Sequence, residues 1–345
     1  MKLNRVRVVT VGIAVSMVML LVTGAAGVGL AADPRKPVII RMPEIYIDND
    51  MDGWSQGVGD IHVQYKFKSY DGGGQGVDGI DYGEWQIGHN TTIYPNKELK
   101  VYVPLYDDLV VCLYDDDPGS TGRGTGDTTG SDDIIENVEI TDFVSAPGLY
   151  TLNADTADGG YIKMGMVDDA ANQPGYSDYS WVKYSPHVVQ PDVDRSGDNK
   201  VLAVIYDPPA NNTITYYLVF QDEDHPTLDA SYDAIRKQDW RRLEDVEWVK
   251  VHYDAVGVDW VQIKYGGAQD YYVSTPDDSD IRYFYRSNNE IQFNGTHPRI
   301  YVATWNHLFD VKARNDVTWS WGGTYNLLLI DGSTINKDYL TIPVP

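Results

Sequence analysis

The sequence predicts an all-β protein built as two antiparallel β-sandwich domains in tandem. Three observations predict it. Helical periodicity is scarce along the 345 residues. Short runs rich in Val, Ile, Tyr and Trp recur instead, each broken by Gly, Pro, Asp or Asn. A loop-like stretch near 150–180, "LNADTADGG" and "DDAANQPGYSD", divides those runs into two groups.

The runs follow one another in order. "IHVQYKF" (61–67), "LKVYVPL" (99–105) and "LVVCLY" (109–114) belong to the first group. "KVLAVIY" (200–206), "TITYYLVF" (213–220), "EWVKVHY" (247–253), "DWVQIKY" (259–265) and "RIYVAT" (299–304) belong to the second. Only "SYDAIRKQDWRRLEDV", Ser231 to Val246, carries a helix-like pattern. The expected domains are 33–150 and 178–345, with 151–177 between them as a linker.

Residues 1–32 form a third unit. Lys2, Arg5 and Arg7 precede an apolar stretch from Val8 to Ala32 that ends in small residues. A basic start, an apolar middle and a small-residue end describe a secretory signal peptide. An uncleaved anchor is the alternative, since about 20 apolar residues can span a bilayer. Both place the remainder outside the cytoplasm, secreted or at the cell surface. Three Asn-x-Thr sequons, at Asn90, Asn211 and Asn294, suit an exported surface.

Charge narrows the function classes. Against 51 Asp and Glu there are 27 Lys and Arg, a formal net of −24. Phosphate recognition needs a basic surface, so nucleic acid is not an expected partner. The single cysteine, Cys112, rules out an intramolecular disulfide. It sits in an apolar run and reads as a small buried hydrophobe rather than a nucleophile.

The acids are not evenly spread. In "IYIDNDMDGWSQGVGDIHV", Asp48, Asp50 and Asp52 alternate before Gly53, and Asp60 opens the next strand. In "LVVCLYDDDPGSTGRGTGDTTGSDDIIENVEI", Asp115 and Asp117 end one strand and Asp133 starts another. Alternating carboxylates can wrap one hard cation, and oxygen donors without His or Cys favour Ca2+ over zinc. An EF-hand does not fit, because loop position twelve is Gly59 rather than Glu.

A strand, Asp-x-Asp, a variable loop, Asp and an apolar pair entering the next strand resemble a C2 domain over about 40–145. That resemblance implies an eight-stranded sandwich whose loops at one end bring Asp48 or Asp52, Asp60, Asp115, Asp117 and Asp133 to calcium. With Asp50, these are the candidate metal ligands. Calcium is the expected partner, and membrane lipid or glycan a further one.

The second group of runs resembles a Vps62-type β-sandwich, related in pattern to necrosis-inducing cytolysins, over about 180–312. The residues that carry this are Tyr216, Tyr217 and Asp222; Asp245, Val246 and Glu247; Gly266 and Gly267; and Pro298, Tyr301, Val302, Ala303 and His307. The resemblance implies that Asp222, Asp245, Glu247 and His307 gather at one end of the sandwich. Asp222, Asp245 and Glu247 would then be a second set of metal candidates. Glu247 and His307 would be acid–base candidates. The bland alternative is a polar network satisfied at a strand end. "PDVDRSGDNK" (191–200) also opens like a calcium loop through Asp192, Asp194 and Asp198, although position twelve falls on Ala203.

No nucleophile elbow, zinc-protease motif or phosphate-cradling loop is present. The expected function is an exported, calcium-binding, non-catalytic protein. The alternatives are a membrane-active or hydrolytic site in the second sandwich, and a calcium-dependent lipid or glycan binding module.

Overall fold

The computed structural model describes residues 35–47, 59–67, 80–87, 90–104, 109–115, 133–140, 148–153, 160–173, 175–196, 201–220, 222–223, 225–229, 231–232, 245–273, 276–313 and 328–334. The expected signal segment 1–32 lies outside them. Among the described residues, no helix is long and apolar enough to cross a membrane.

The first half contributes β1 (Arg35–Ile47), β2 (Gly59–Phe67), β3 (Ile80–Ile87), β4 (Thr91–Ile93), β5 (Lys97–Pro104), β6 (Leu109–Asp115), β7 (Asp133–Ile140), β8 (Gly148–Asn153) and β9 (Gly160–Asp168). A single turn, α1 (Ser180–Lys183), follows. Then come β10 (His187–Val189), a second short turn α2 (Asp192–Ser196), β11 (Val201–Tyr206), β12 (Thr213–Phe220), β13 (Asp245–Tyr253) and β14 (Val258–Lys264). The last strands are β15 (Ile281–Tyr285), β16 (Phe293–Asn294), β17 (His297–Val302), β18 (Phe309–Asp310) and β19 (Leu328–Asp331). The protein is all-β, and all eight expected runs are strands.

Three sheets form. One is ordered β3-β2-β6-β7, a second is β10-β17-β16 with β18 on β17, and the third is β15-β14-β13-β12-β11-β19-β5-β1-β9-β8 with β4 on β1. Two pairings depart from the expected antiparallel pattern: β10 with β17, and β11 with β19, are parallel.

Alternation explains the C-terminal core. On β12, Ile214, Tyr216, Leu218 and Phe220 are fully buried, while Thr213, Thr215 and Tyr217 are only partly covered. Successive strand residues face opposite sides, so one face of this β-branched and aromatic run goes inward. That face joins Val249, Val251, Val261 and Ile263 of the large sheet to Val188, Ile300, Val302 and Phe309 of the β10-β17 sheet in one cluster.

On β1 the inward residues are Val38, Ile40 and Met42, then Ile45 and Ile47. The parity changes because the register with β9 shifts between Arg41 and Glu44. Pro43 sits inside that shift. It has no N–H to give to a ladder, so a bulge is where a strand tolerates it. Without the extra residue, Ile45 and Ile47 would face the other way. The outer side carries cross-strand ion pairs: Arg41 with Glu98 and Glu44 with Lys163, each at 2.8 Å.

Four expectations are corrected here. Residues 151–177, expected as a linker, hold the end of β8 and all of β9, which pairs with β1 from Asp168 to Gly160. Its "GYIKMGMVD" lacks the β-branched density that marks the other strands. The expected helix of 231–246 does not reach its end, because Asp245 and Val246 already pair with Phe220 and Val219 in β13. The loop expected to open at Asp192 is the turn α2. Its Asp194 is fully buried and accepts the Tyr271 hydroxyl, a protein partner that the loop-like spacing does not reveal. Finally, the two halves are not separate sheets. β19 lies parallel to β11, through Ala203–Leu328 to Tyr206–Asp331, and antiparallel to β5, through Leu329–Tyr102 and Ile330–Val101. At this seam Trp181 stacks on Tyr206 at 5.6 Å and donates to the Tyr102 hydroxyl at 3.1 Å. Burial pushes the Tyr102 hydroxyl up to about 12 and raises that of Tyr206 as well, so both stay protonated as donors.

Candidate functional site

The acidic end of the β3-β2-β6-β7 sheet is built by register. Asp115 ends β6 and is the direct partner of Asp133, which starts β7. On its other side Asp115 pairs with Ile61 of β2, whose neighbour Asp60 pairs with Gln86 of β3. Asp60, Asp115 and Asp133 therefore occupy one end of three adjacent strands. Like charges directly opposite one another destabilise an antiparallel pair by about 0.2–1 kcal/mol unless something neutralises them. The β6–β7 register also shifts between Leu113 and Tyr114, leaving Ile135 as the extra residue just inside this end. Bulges are common where a strand is re-aimed beside a site. Asp48, Asp50, Asp52 and Asp117 lie outside the described residues; β1 stops at Ile47, directly before Asp48. A hard, oxygen-only donor set fits calcium.

The second cluster sits at one end of the C-terminal sandwich. Asp245 and Glu247 begin β13 on the same side as Val249 and Val251, which places two carboxylates at the margin of the core. Their partners on β12 are Phe220 and Leu218. His307 follows β17 in a left-handed conformation, with φ 57°. Its ring stacks on Phe220 at 3.8 Å, and its Nδ1 lies 2.9 Å from Asp245 Oδ2. Because Phe220 and Asp245 are register partners, two adjacent strands grip one imidazole. The turn that presents it is tied by the His307 N–H to the Thr304 carbonyl, and by the Leu308 N–H to Thr304 Oγ1.

Glu247 accepts from Lys264 of β14 at 2.9 Å. Burial raises the Glu247 carboxyl to about 8, and Asp245 adds to this, while Lys264 pulls the other way. Lys264 is raised on balance: burial works against its charge, and Glu247, Asp245 and Asp278 outweigh burial. Asp222 lies two residues beyond Phe220 and is buried, and its carboxylate accepts the Glu223 N–H at 2.7 Å. Glu223 in turn accepts the Tyr232 hydroxyl.

The structure thus bonds Asp245 to His307 and sets Glu247 beside them. The residue that sequence reasoning missed is Lys264. It closes "VQIK", and nothing in the sequence reveals the strand register that brings it to Glu247. Among the described residues of the C-terminal sandwich, no three His, Cys, Asp or Glu side chains are grouped to hold a metal ion. Asp222, Asp245 and Glu247 make no such centre here. His307 is 0% exposed and Glu247 5%. A raised carboxyl beside a lysine and an Asp–His pair has the parts of acid–base chemistry, but a substrate would have to open the sandwich to reach them.

No protein-family model matches the sequence, and no curated protein matches it. Solved structures that resemble parts of the chain include C2 domains. A single C2 domain of plant extended synaptotagmin 1 is 13% identical, with a TM-score of 0.28, over 39% of this chain and 93% of that one. The calcium-bound tandem C2 domains of extended synaptotagmin 2 are 16% identical, with a TM-score of 0.26, over 40% and 49%. Human GIVD cytosolic phospholipase A2 is 14% identical, with a TM-score of 0.26, over 40% of this chain and 18% of the enzyme's.

Proposed function

We propose that this is an exported, non-catalytic β-sandwich protein that binds calcium at the acidic end of the β3-β2-β6-β7 sheet. One observation carries the reading: Asp115 and Asp133 are direct partners, with Asp60 on the next strand. Asp48, Asp50, Asp52 and Asp117 would complete the oxygen set from the adjoining segments. A bound cation offsets the repulsion and holds strand ends together in a chain without a disulfide.

Urea or thermal unfolding with calcium against EDTA tests it. At a hundredfold excess over Kd, binding to the native state adds about 2.7 kcal/mol. The Asp115→Asn, Asp133→Asn double variant should lose that gain. In EDTA it should be at least as stable as the parent, because the paired charges are gone. A midpoint indifferent to EDTA overturns the proposal. Calcium-dependent binding to lipid vesicles or glycans is tested by the same variant.

A further inference from the structure

The outer face of β13, β14 and β15 carries an aromatic strip that neither candidate site uses. The inner face of these strands is core: Val249, Val251, Val261 and Ile263 are fully buried, and Phe284 packs against them. Strand alternation puts the intervening residues outside. Register then aligns them in rows, His252 with Trp260 and Tyr285, and Lys250 with Gln262 and Tyr283. His252 stacks on Trp260 at 5.1 Å, Trp260 meets Tyr283 edge-on at 5.2 Å, and Tyr283 stacks on Tyr285 at 6.5 Å. The rings form one continuous strip across three strands. It ends in exposed Tyr283 and Tyr285, 48% and 40% accessible, on the sheet's edge strand.

We infer that this face is a binding platform for a neutral polysaccharide chain. The exposed rings of Tyr283 and Tyr285, with half-buried Trp260 beside them, offer apolar faces to the C–H faces of sugar rings. Gln262, Lys250 and the two tyrosine hydroxyls between and beyond them suit a ligand dense in hydroxyls. A zwitterionic lipid surface is the competing occupant for such rings, and the vesicle arm of the test separates the two. Charge selects further. The chain as a whole is −24, which repels anionic membranes and anionic polymers. Two of the acids bordering the strip are matched by an arginine: Asp254 by Arg286 at 2.9 Å and Asp280 by Arg282 at 2.7 Å. These ion pairs, with Lys250 in the strip itself, offset part of the acidic charge around it. The strip lies apart from the acidic strand ends in sequence and in sheet, and it needs no calcium.

The test is affinity electrophoresis of the full chain through soluble neutral polysaccharides, namely hydroxyethylcellulose, xylan, mannan and glycogen. Tryptophan fluorescence titration with the corresponding oligosaccharides follows. At least one polymer should retard the protein equally with calcium and with EDTA. Trp260→Ala and Tyr283→Ala should each weaken binding about tenfold. Tyr94→Ala, at an exposed tyrosine far along the chain, should leave it unchanged. Circular dichroism checks that the variants fold, and an additional Gln262→Ala should weaken binding without removing a ring. Absence of binding to the whole panel overturns the inference, as does binding unaffected by both ring variants. It is also overturned if the rings are needed instead for phosphatidylcholine vesicles or for self-association. EDTA sensitivity separates this site from the proposed calcium site, so the two can fail independently.

Discussion

Lys264→Met should destabilise the protein less in mild acid than in mild base. The substitution keeps the length of the side chain and removes its charge from beside Glu247, 2.9 Å away. The Glu247 carboxyl is raised from 4.5 to about 8 by burial and then by Asp245, with Lys264 opposing both. At about pH 6, folded Glu247 carries its proton with or without the lysine. The variant then loses one hydrogen bond from a charged donor, about 1.5–3 kcal/mol. At about pH 9, Glu247 is ionised in the parent and paired. The variant must either bury that charge beside Asp245 or keep it protonated against the solvent, and losing one partner of a buried pair costs about 3–5 kcal/mol.

Glu247→Gln isolates the same group with the opposite signature. A carboxyl whose folded value lies above its unfolded one stabilises the fold below about 4.5, and that stability is lost as pH rises through about 8. The slope is at most about 1.4 kcal/mol per pH unit. The glutamine variant should flatten this decline between those two values. Urea unfolding at fixed calcium, read at three pH values for parent and variants, measures both effects. A Lys264→Met penalty equal at about pH 6 and pH 9 would refute the assignment of the titrating group to Glu247.

Two more outcomes follow from the packing. Gly266→Ala should cost about 1–3 kcal/mol, because a Cβ there would meet Leu308 Cβ at 2.7 Å and Thr304 Cγ2 at 3.0 Å within the turn that presents His307; an unchanged melting midpoint contradicts the close approach. Ending the chain after residue 327 removes β19 and uncovers the edges of β5 and β11, so the truncated protein should associate with rising concentration and lose amide protection in both strands; a monomer with parental protection contradicts the shared sheet.

The strands that were legible are those whose own residues decide them. "TITYYLVF" alternates, is β-branched and aromatic, and forms β12 from Thr213 to Phe220 as the pattern predicts. β1 was not legible because its inward face changes parity at Pro43, so neither half alternates long enough to stand out. β9 was hidden by glycine and methionine. The acidic strand ends were legible in part because Asp115 and Asp133 flank a single loop, so local sequence alone makes them neighbours. Asp194 shows the opposite case. Its spacing suits a cation, yet its partner is Tyr271, 77 residues away, and only the tertiary fold reveals that. Lys264 escaped for the same reason.

The position of β19 gives the most consequential long-range contact. It arrives late in the chain, yet it sits between β11 and β5 and pairs with both. A strand inserted this way ties residues near 330 to residues near 102 and near 204 at once. Neither β5 nor β11 has its second neighbour until β19 is in place, so the ladder on each side of the seam depends on the same short strand. Leu329 and Ile330 are fully buried there, and the Trp181–Tyr206 stack with the Tyr102 hydroxyl closes the seam with hydrogen-bonded aromatics. With one cysteine in the chain, no intramolecular disulfide can fasten the halves together. A centrally inserted strand performs that topological task by hydrogen bonding and burial. The tie is cooperative rather than covalent. Loss of β19 should therefore open both halves of the large sheet together, whereas removal of calcium from the proposed site should loosen the β3-β2-β6-β7 strand ends first.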